Sequence, residues 1–247
     1  MPDHKLAIEV NGLYWHGEKY RGKDYHADKT ARCREANIAL IHVWEDDWAH
    51  RKEIVKSIIG NRVGYSNRKI YARSCDVREV PSKEARAFLD SSHIQGYASS
   101  QVRIGLYHGG ELVSLMTFGW RHTNSKREME LIRFCNSMGT LVVGGASRLF
   151  SKFLSTCDAD KIISYSDDSM FDGGMYETLG FVRHGLSKPN YFWVVGGKRR
   201  HRFNFCKSKL VKQGYDPAKT EVQIMHDRGY RRVWGCGQVR WEYQVDK

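Results

Sequence analysis

The sequence of 247 residues has no C-x-x-C pair, and its six cysteines are scattered at positions 33, 75, 135, 157, 206 and 236. This spacing argues against a local zinc knuckle. The nearest Cys/His grouping is the single pair His201 and Cys206, whereas a structural zinc site takes four ligands, so no zinc is expected. Scattered cysteines favour reduced, mostly buried thiols in a reducing compartment.

The N-terminus also lacks an apolar signal region, and no apolar run approaches the roughly 20 residues that a membrane span requires. There is no internal repeat and no low-complexity tract. With 41% hydrophobic residues the chain can bury the cores of two modest domains. We therefore expect a cytoplasmic protein with no membrane partner.

Positive charge is what the chain has in excess, with a net charge of +12. Residues 196–247 hold 13 Lys and Arg against 5 Asp and Glu, and therefore carry two-thirds of that net charge. Basic residues interleaved with aromatic ones suit phosphate contacts and base stacking, which predicts double-stranded DNA as a partner. A solvated basic surface is the alternative. The predicted DNA contacts are Lys29, Lys198, Arg199, Arg200, Arg202, Lys207, Lys209, Arg231 and Arg232.

A dense group of polar residues occupies the first predicted strand and the turn after it. The alternation of residues 6–11 places Glu9 and Asn11 on one face of the strand. Gly12 permits a sharp exit that brings His16 back toward Glu9, and Glu18 follows as a second acid. A strand-end carboxylate is a good Mg²⁺ ligand, and a nearby histidine can move a proton. A half-buried strand with a surface histidine is the alternative.

A predicted helix (24–36) and an apolar strand (38–44) complete an α/β unit. Together with the string from Val10 to His16, these residues resemble the PD-(D/E)xK nucleases, and more closely the very-short-patch-repair and Hef-like phage homing endonucleases. The resemblance implies a Mg²⁺-dependent DNA endonuclease in which Mn²⁺ can substitute. It makes Glu9 the metal ligand and Glu9, Asn11, His16 and Glu18 the catalytic set. A phage-encoded protein would act in the host cell cytoplasm.

The family's upstream aspartate is missing from its usual place, because only five residues separate Asp3 from Glu9. The nuclease core is therefore expected to be truncated at its start. Asp3 remains a candidate metal ligand, and a homodimer or a partner chain could supply the acid instead. A DNA-binding remnant or one subunit of a split nuclease is the alternative function.

The middle of the chain resembles the GNAT acyltransferases. The features that carry this resemblance are a hairpin at 102–118, the pair Gly144-Gly145 opening a helix, and the element 176–181. In that family such glycines expose backbone N–H groups to the pyrophosphate of acetyl-CoA. The family's Gln or Arg, three residues before the first glycine, is Leu141 here, so acetyl-CoA is not expected as a cofactor. The glycines could instead hold a DNA phosphate or permit close helix packing. An acyltransferase is the least favoured function.

A further polar cleft could form from Arg133, His122, Asp167 and Asp168, although the aspartates suit capping of the next turn. The predicted fold class is α/β (α+β). A restriction-endonuclease-like core (1–64) precedes a GNAT-like mixed-sheet domain (65–195) and a basic DNA-binding segment (196–247).

Overall fold

The computed structural model describes residues 1–121 and 127–245. The chain divides into two compact units. The first comprises residues 1–50, 167–172 and 186–238, and the second comprises 51–166, 173–185 and 239–247. The predicted domain boundaries at 64/65 and 195/196 stay predictions. In the division into compact units, residues 186–238 belong to the same unit as residues 1–50.

The first unit contains two small sheets. Strands β1 and β2 pair in parallel, with Glu9 opposite His42. A second sheet has the order β12-β11-β13, and the helices α6 and α7 contribute to the core on one of its faces. Elements of this unit are β1 (Leu6–Asn11), α1 (Tyr25–Glu35), β2 (Ala39–Trp44), β11 (Tyr191–Val195), β12 (Lys198–His201), α6 (Lys207–Lys212), α7 (Glu221–Asp227) and β13 (Arg231–Trp234).

The helix α2 (Glu45–Arg62) continues from the first unit into the second. Arg51 interrupts it with the non-helical angles φ −138° and ψ 30°, so α2 consists of two helical pieces. The change of unit along the chain falls between His50 and Arg51, at this interruption.

The second unit is built on a seven-stranded mixed sheet, in the order β10-β14-β9-β7-β6-β5-β4. A two-stranded parallel sheet of β3 and β8 belongs to the same unit. Its elements are β3 (Arg68–Tyr71), β4 (Asp76–Glu79), α3 (Ser82–Ser92), β5 (Val102–His108), β6 (Glu111–Trp120), β7 (Glu128–Asn136), β8 (Thr140–Val143), α4 (Gly145–Leu154), β9 (Lys161–Asp167), α5 (Gly174–Thr178), β10 (Val182–Leu186) and β14 (Gln238–Gln244).

The core of the second unit forms where α4 packs on the sheet. Leu149, Phe150 and Phe153 recur at helical spacing and are buried. Phe153 stacks on Phe118 of β6 with ring centroids 3.5 Å apart and planes 4° from parallel. This packing fixes α4, and therefore its N-terminus, against the sheet.

The predicted mixed α/β class is confirmed, but a separate nuclease core is not supported. Around Glu9 the structure has the two-stranded sheet β1–β2, and strands from residues 191–234 belong to the same compact unit. Among residues 1–121 and 127–245, none of the helices combines the length and apolar character needed to cross a bilayer.

Candidate functional site

The parallel strands β3 and β8 of the second unit end side by side, and their last pair in register is Tyr71 with Val143. Ligand crevices in α/β proteins lie beyond the carboxyl ends of parallel strands. A cavity of about 490 Å³ lies there, within the range of small-molecule sites. Its lining residues are Tyr71, Ala72, Arg73, Val143, Gly144, Ser147, Arg148 and Ser151.

The N-terminus of α4 forms one wall of this cavity. Gly144 is the N-cap residue and has the left-handed φ of 73°, which a residue with a side chain adopts only at a cost. No side chain caps the helix, so the first backbone N–H groups of α4 have no helical acceptor. Arg148, one turn into the helix, donates to the carbonyl oxygen of Ala72. The wall is therefore suited to an anionic group.

The two glycines have different roles. A Cβ on Gly144 would meet nothing closer than 3.9 Å, so this glycine is required by its backbone angle. A Cβ on Gly145 would lie 3.1 Å from Cγ1 of Val142, so this glycine allows close packing of α4 against β8. Of the alternatives that the sequence leaves open, packing therefore accounts for Gly145, while Gly144 shapes the cavity wall.

The pairing of strands β7 and β9 is short. These neighbouring parallel strands pair only through Glu128–Lys161, Met129–Ile162 and Glu130–Ile163. Immediately afterwards β7 carries an extra residue, Ile132, relative to β6, because Thr117 pairs with Arg133 and Phe118 with Leu131. A bulge bends its strand and is frequent beside active sites. Beyond Glu130, β7 and β9 are no longer paired.

Polar side chains gather where the two strands part. The Ser164 hydroxyl on β9 donates to the Leu131 carbonyl oxygen at 2.8 Å and lies 2.9 Å from the Tyr176 hydroxyl. Burial raises the pKa of Glu130, and the positive charges of Arg121 and Arg133 only partly offset that rise. Burial also raises the pKa of Tyr176 and lowers that of Arg133. A carboxylate of raised basicity and a protonated phenol therefore share one electrostatic environment.

The predicted cleft of Arg133, His122, Asp167 and Asp168 does not form as a group. His122 lies outside the described residues, and the aspartates belong to the first unit. Asp167 accepts from the backbone and the hydroxyl of Ser169, which is the expected capping of the next turn. Asp168 pairs with Arg34 at 2.6 Å.

In the first unit, Glu9 and Asn11 converge on a histidine that sequence reasoning did not single out as a site residue, His42. Its Nδ1 lies 3.1 Å from Oε2 of Glu9 and 3.1 Å from Nδ2 of Asn11. Lys29 Nζ lies 2.5 Å from the other oxygen of Glu9. Burial would raise the pKa of Glu9, but the contacts with His42 and Lys29 outweigh it and hold that pKa at about 2. The Glu9 carboxylate is therefore neutralised by the protein itself.

The other predicted catalytic residues have separate partners. Nδ1 of His16 contacts Nε2 of His26 at 2.9 Å, and burial lowers the pKa of both imidazoles, that of His26 to about 4. Glu18 pairs with Arg232 at 2.6 Å and with His226 at 2.8 Å. The candidate ligand Asp3 is exposed in the short 3₁₀ turn Pro2–His4.

The predicted DNA contacts fall into two groups. Three are engaged in ion pairs within the first unit: Lys29 with Glu9, Arg199 with Asp46 and Asp47, and Arg232 with Glu18. The remaining six lie on β12, the following 3₁₀ turn, α6 and β13, and all but the half-buried Lys198 are exposed: Lys198, Arg200, Arg202, Lys207, Lys209 and Arg231.

Sequence reasoning missed Glu130, Ser164 and the partnership of Tyr176 with them. These residues meet only through the β6–β7 bulge and the β7–β9 register, which are long-range pairings. His42 carried a local signal: it is the polar residue within the otherwise apolar strand β2, and it is fully buried.

No family model and no curated protein matches the sequence. Similar solved structures include a GNAT-family acetyltransferase from Bacillus cereus (13% identity, TM-score 0.39), which covers 70% of this chain and 99% of its own. A Bacillus subtilis acetyltransferase in complex with CoA has 14% identity, a TM-score of 0.41 and coverage of 70% and 99%. A putative acetyltransferase from Salmonella typhimurium with acetyl-CoA has 10% identity, a TM-score of 0.41 and coverage of 70% and 95%.

The comparisons contradict the expected membership of the Hef-like homing endonucleases and the expected endonuclease activity, since the similar structures named above are acetyltransferases. The expectation of Mg²⁺ or Mn²⁺ as a cofactor is also wrong. Within residues 1–121 and 127–245, no group of three or more His, Cys, Asp or Glu side chains could hold a metal ion. The physical reason at Glu9 is that Lys29 pairs with one of its oxygens and the buried His42 lies 3.1 Å from the other. Two of these structures contain CoA or acetyl-CoA, a cofactor that is not expected from the sequence of this chain.

Proposed function

We propose that the second unit is an acyltransferase that uses a coenzyme A thioester. The observation that carries the proposal is the parting of β7 and β9 directly after Glu130, with the bulge at Ile132 and the Ser164–Tyr176 pair at the same level. Where the pairing of two strands ends beside a base and an acid, an acceptor can lose a proton.

The cavity at the α4 N-terminus supplies the anion-binding part of the proposal. Its unpaired backbone N–H groups and Arg148 suit the pyrophosphate of coenzyme A. Bound there, the thioester would supply an activated acyl group. Leu141, which stands where the GNAT family has Gln or Arg, contributes no polar side chain to this site.

In this proposal Glu130 is the base and Tyr176 is the acid. The Glu130 carboxylate, with its raised pKa, takes a proton from an ammonium group of the acceptor. The Tyr176 phenol keeps its proton at neutral pH because burial raises its pKa, and Ser164 holds its oxygen in place. Arg133 lowers the pKa of both groups and so tunes them together.

The test is titration of the full chain with acetyl-CoA, by calorimetry, for wild type and Ser147→Glu. Ser147 is exposed in the first turn of α4, so a glutamate there suits the helix but repels an anion at its N-terminus. Ser82→Glu is the matched control, because it places the same charge in the exposed first turn of α3. We expect saturable binding that Ser147→Glu weakens at least about tenfold and Ser82→Glu leaves unchanged. Equal affinity in both variants, or no binding, contradicts the proposal.

A second proposal concerns the first unit, for which we propose binding of double-stranded DNA. The exposed cations Arg200, Arg202, Lys207 and Lys209 lie within ten residues of one another, around Phe203, which is 63% exposed. Clustered cations beside an exposed aromatic ring suit a phosphate backbone and a base or sugar face. This proposal is independent of the acyltransferase proposal.

A further inference from the structure

The cavity beside α4 has an aromatic wall that the acyltransferase proposal does not use. Tyr71 is 46% exposed at the end of β3, in register with Val143. Large aromatic rings are normally buried, and this one lines a cavity rather than a core. Its ring and Val143 together offer a flat apolar surface next to the anion-binding wall.

Two cations accompany this ring. Nζ of Lys69 lies 5.6 Å from the ring centroid of Tyr71, and Cζ of Arg73 lies 5.2 Å from it. Both distances are within the range of cation–π attraction. Arg73 lines the cavity and is exposed, and Lys69 is exposed on β3. Neither cation has an ion pair with a carboxylate among the described contacts, so both can meet a phosphate.

We infer that Tyr71, Lys69 and Arg73 recognise the nucleotide end of the ligand, a purine base carrying a phosphate on its ribose. The base stacks on the Tyr71 ring in place of the cations, and Lys69 and Arg73 then pair with the ribose phosphate. The inference rests on the proposed function, since coenzyme A ends in adenosine 3′,5′-bisphosphate. It adds the residues that select the phosphorylated adenosine over other anions.

The physical basis is the combination of Tyr71 and Arg73, which line the cavity, with Lys69 beside the Tyr71 ring. An aromatic ring accepts any base face, and stacking of one base contributes about 1–3 kcal/mol. Paired cations discriminate by charge, because removing a phosphate from the ligand leaves them without a partner. A cavity of about 490 Å³ has room for a nucleotide but is far smaller than a groove for a polymer.

The experiment measures dissociation constants of the full chain by calorimetry for coenzyme A, dephospho-coenzyme A and adenosine 3′,5′-bisphosphate. The variants are Tyr71→Leu, Tyr71→Phe and the double variant Lys69→Gln/Arg73→Gln. Tyr65→Leu is the matched control, because Tyr65 is a still more exposed tyrosine, at 71%, that does not line the cavity.

We expect Tyr71→Leu to weaken coenzyme A and the bisphosphate at least fivefold, while Tyr71→Phe and Tyr65→Leu have no effect; fivefold corresponds to about 1 kcal/mol. In the double variant we expect the preference for coenzyme A over dephospho-coenzyme A to fall to about one. Unchanged coenzyme A binding in Tyr71→Leu overturns the inference and leaves the proposed function intact. Binding of the bisphosphate through Tyr71 without binding of coenzyme A overturns the proposed function and supports the nucleotide site. No binding of any of these ligands to wild type overturns both.

Discussion

At the residue scale, strand β1 has its polar face inside. The alternation of residues 6–11 is as predicted, yet Val10 is 71% exposed and Ile8 39% exposed, while Asn11 is fully buried. The inversion is possible because Glu9 and Asn11 find partners in Lys29 and His42. The alternation of polar and apolar residues identifies the two faces of a strand, but it does not show which face is buried against other side chains.

The Glu9 pKa makes stability depend on pH. Because folding lowers this pKa from 4.5 to about 2, the stabilisation is complete above pH 4.5 and is lost as pH falls through 2. The shift corresponds to about 3 kcal/mol. Lys29→Met should raise the Glu9 pKa in the folded state, so that the free energy of unfolding falls by less on acidification and stops falling at a higher pH. Urea denaturation between pH 2 and 7 measures this.

Lys219→Met is the control for Lys29→Met. Lys219 also pairs with a carboxylate of the first unit, Asp227, but both side chains are about half exposed. Its pH profile should match that of wild type. Identical profiles for Lys29→Met and wild type would show that Lys29 does not hold Glu9 ionised.

Ionisation of Glu130 should determine how the rate of acyl transfer falls at acidic pH. Since burial raises its pKa, we expect kcat/KM to rise with pH through a value above the ordinary 4.5 of a glutamate. Glu130→Gln should lower kcat by about 10²–10⁴-fold while acetyl-CoA binding is retained. Release of free thiol from acetyl-CoA with a panel of amines is the assay. A Glu130→Gln rate within threefold of wild type would exclude this residue as the base.

At the element scale, local signals predicted much of the second unit. The hairpin of β5 and β6 and the glycine-opened helix α4 lie where the sequence places them. Helix α2 begins at Glu45, because the acidic cluster Glu45–Asp47 suits a first helical turn. Residues 196–247 were interpreted as a basic segment, whereas they form β12, α6, α7, β13 and β14. The many charged residues in this range made the short apolar stretches of these elements hard to recognise in the sequence.

Helix α4 depends on one aromatic stack. Phe153→Ala should lower the free energy of unfolding by about 3–5 kcal/mol, because it removes a buried ring that stacks on Phe118 and leaves a cavity. Lys152→Ala, at the exposed neighbouring position, should change it by less than about 0.5 kcal/mol. Urea denaturation followed by circular dichroism measures both. A cost below 1 kcal/mol for Phe153→Ala would show that α4 is not held by this contact.

The candidate site could be predicted only in part, because some of its residues are brought together by long-range strand pairing. Gly144-Gly145 and Arg133 stand out in the sequence, and Gly144 does form a cavity wall. Glu130 and Ser164 are unremarkable strand residues until the bulge at Ile132 and the end of β7–β9 pairing bring them beside Tyr176. Such long-range register has no local signature.

At the scale of the whole molecule, the net charge of +12 predicts a salt-dependent affinity for DNA. The slope of log K against log salt should be about −0.9 for each phosphate contacted. Arg200→Gln/Lys207→Gln should reduce its magnitude by about 2. Lys219→Gln should not, because Lys219 already pairs with Asp227. Fluorescence anisotropy with a short duplex measures the slope, and equal slopes in all three proteins would argue against this surface.

Chain order has a consequence for synthesis on the ribosome. The N-terminal 50 residues share a compact unit with residues 186–238, and Leu13 and Trp44 pack with Val233. Strand β14, at 238–244, is an interior strand of the seven-stranded sheet, between β10 and β9. Neither unit is therefore complete until residues 186–244 have emerged, and until then the nascent chain exposes unpaired strands. A chain truncated before residue 230 should yield aggregates or degraded protein rather than a smaller working module.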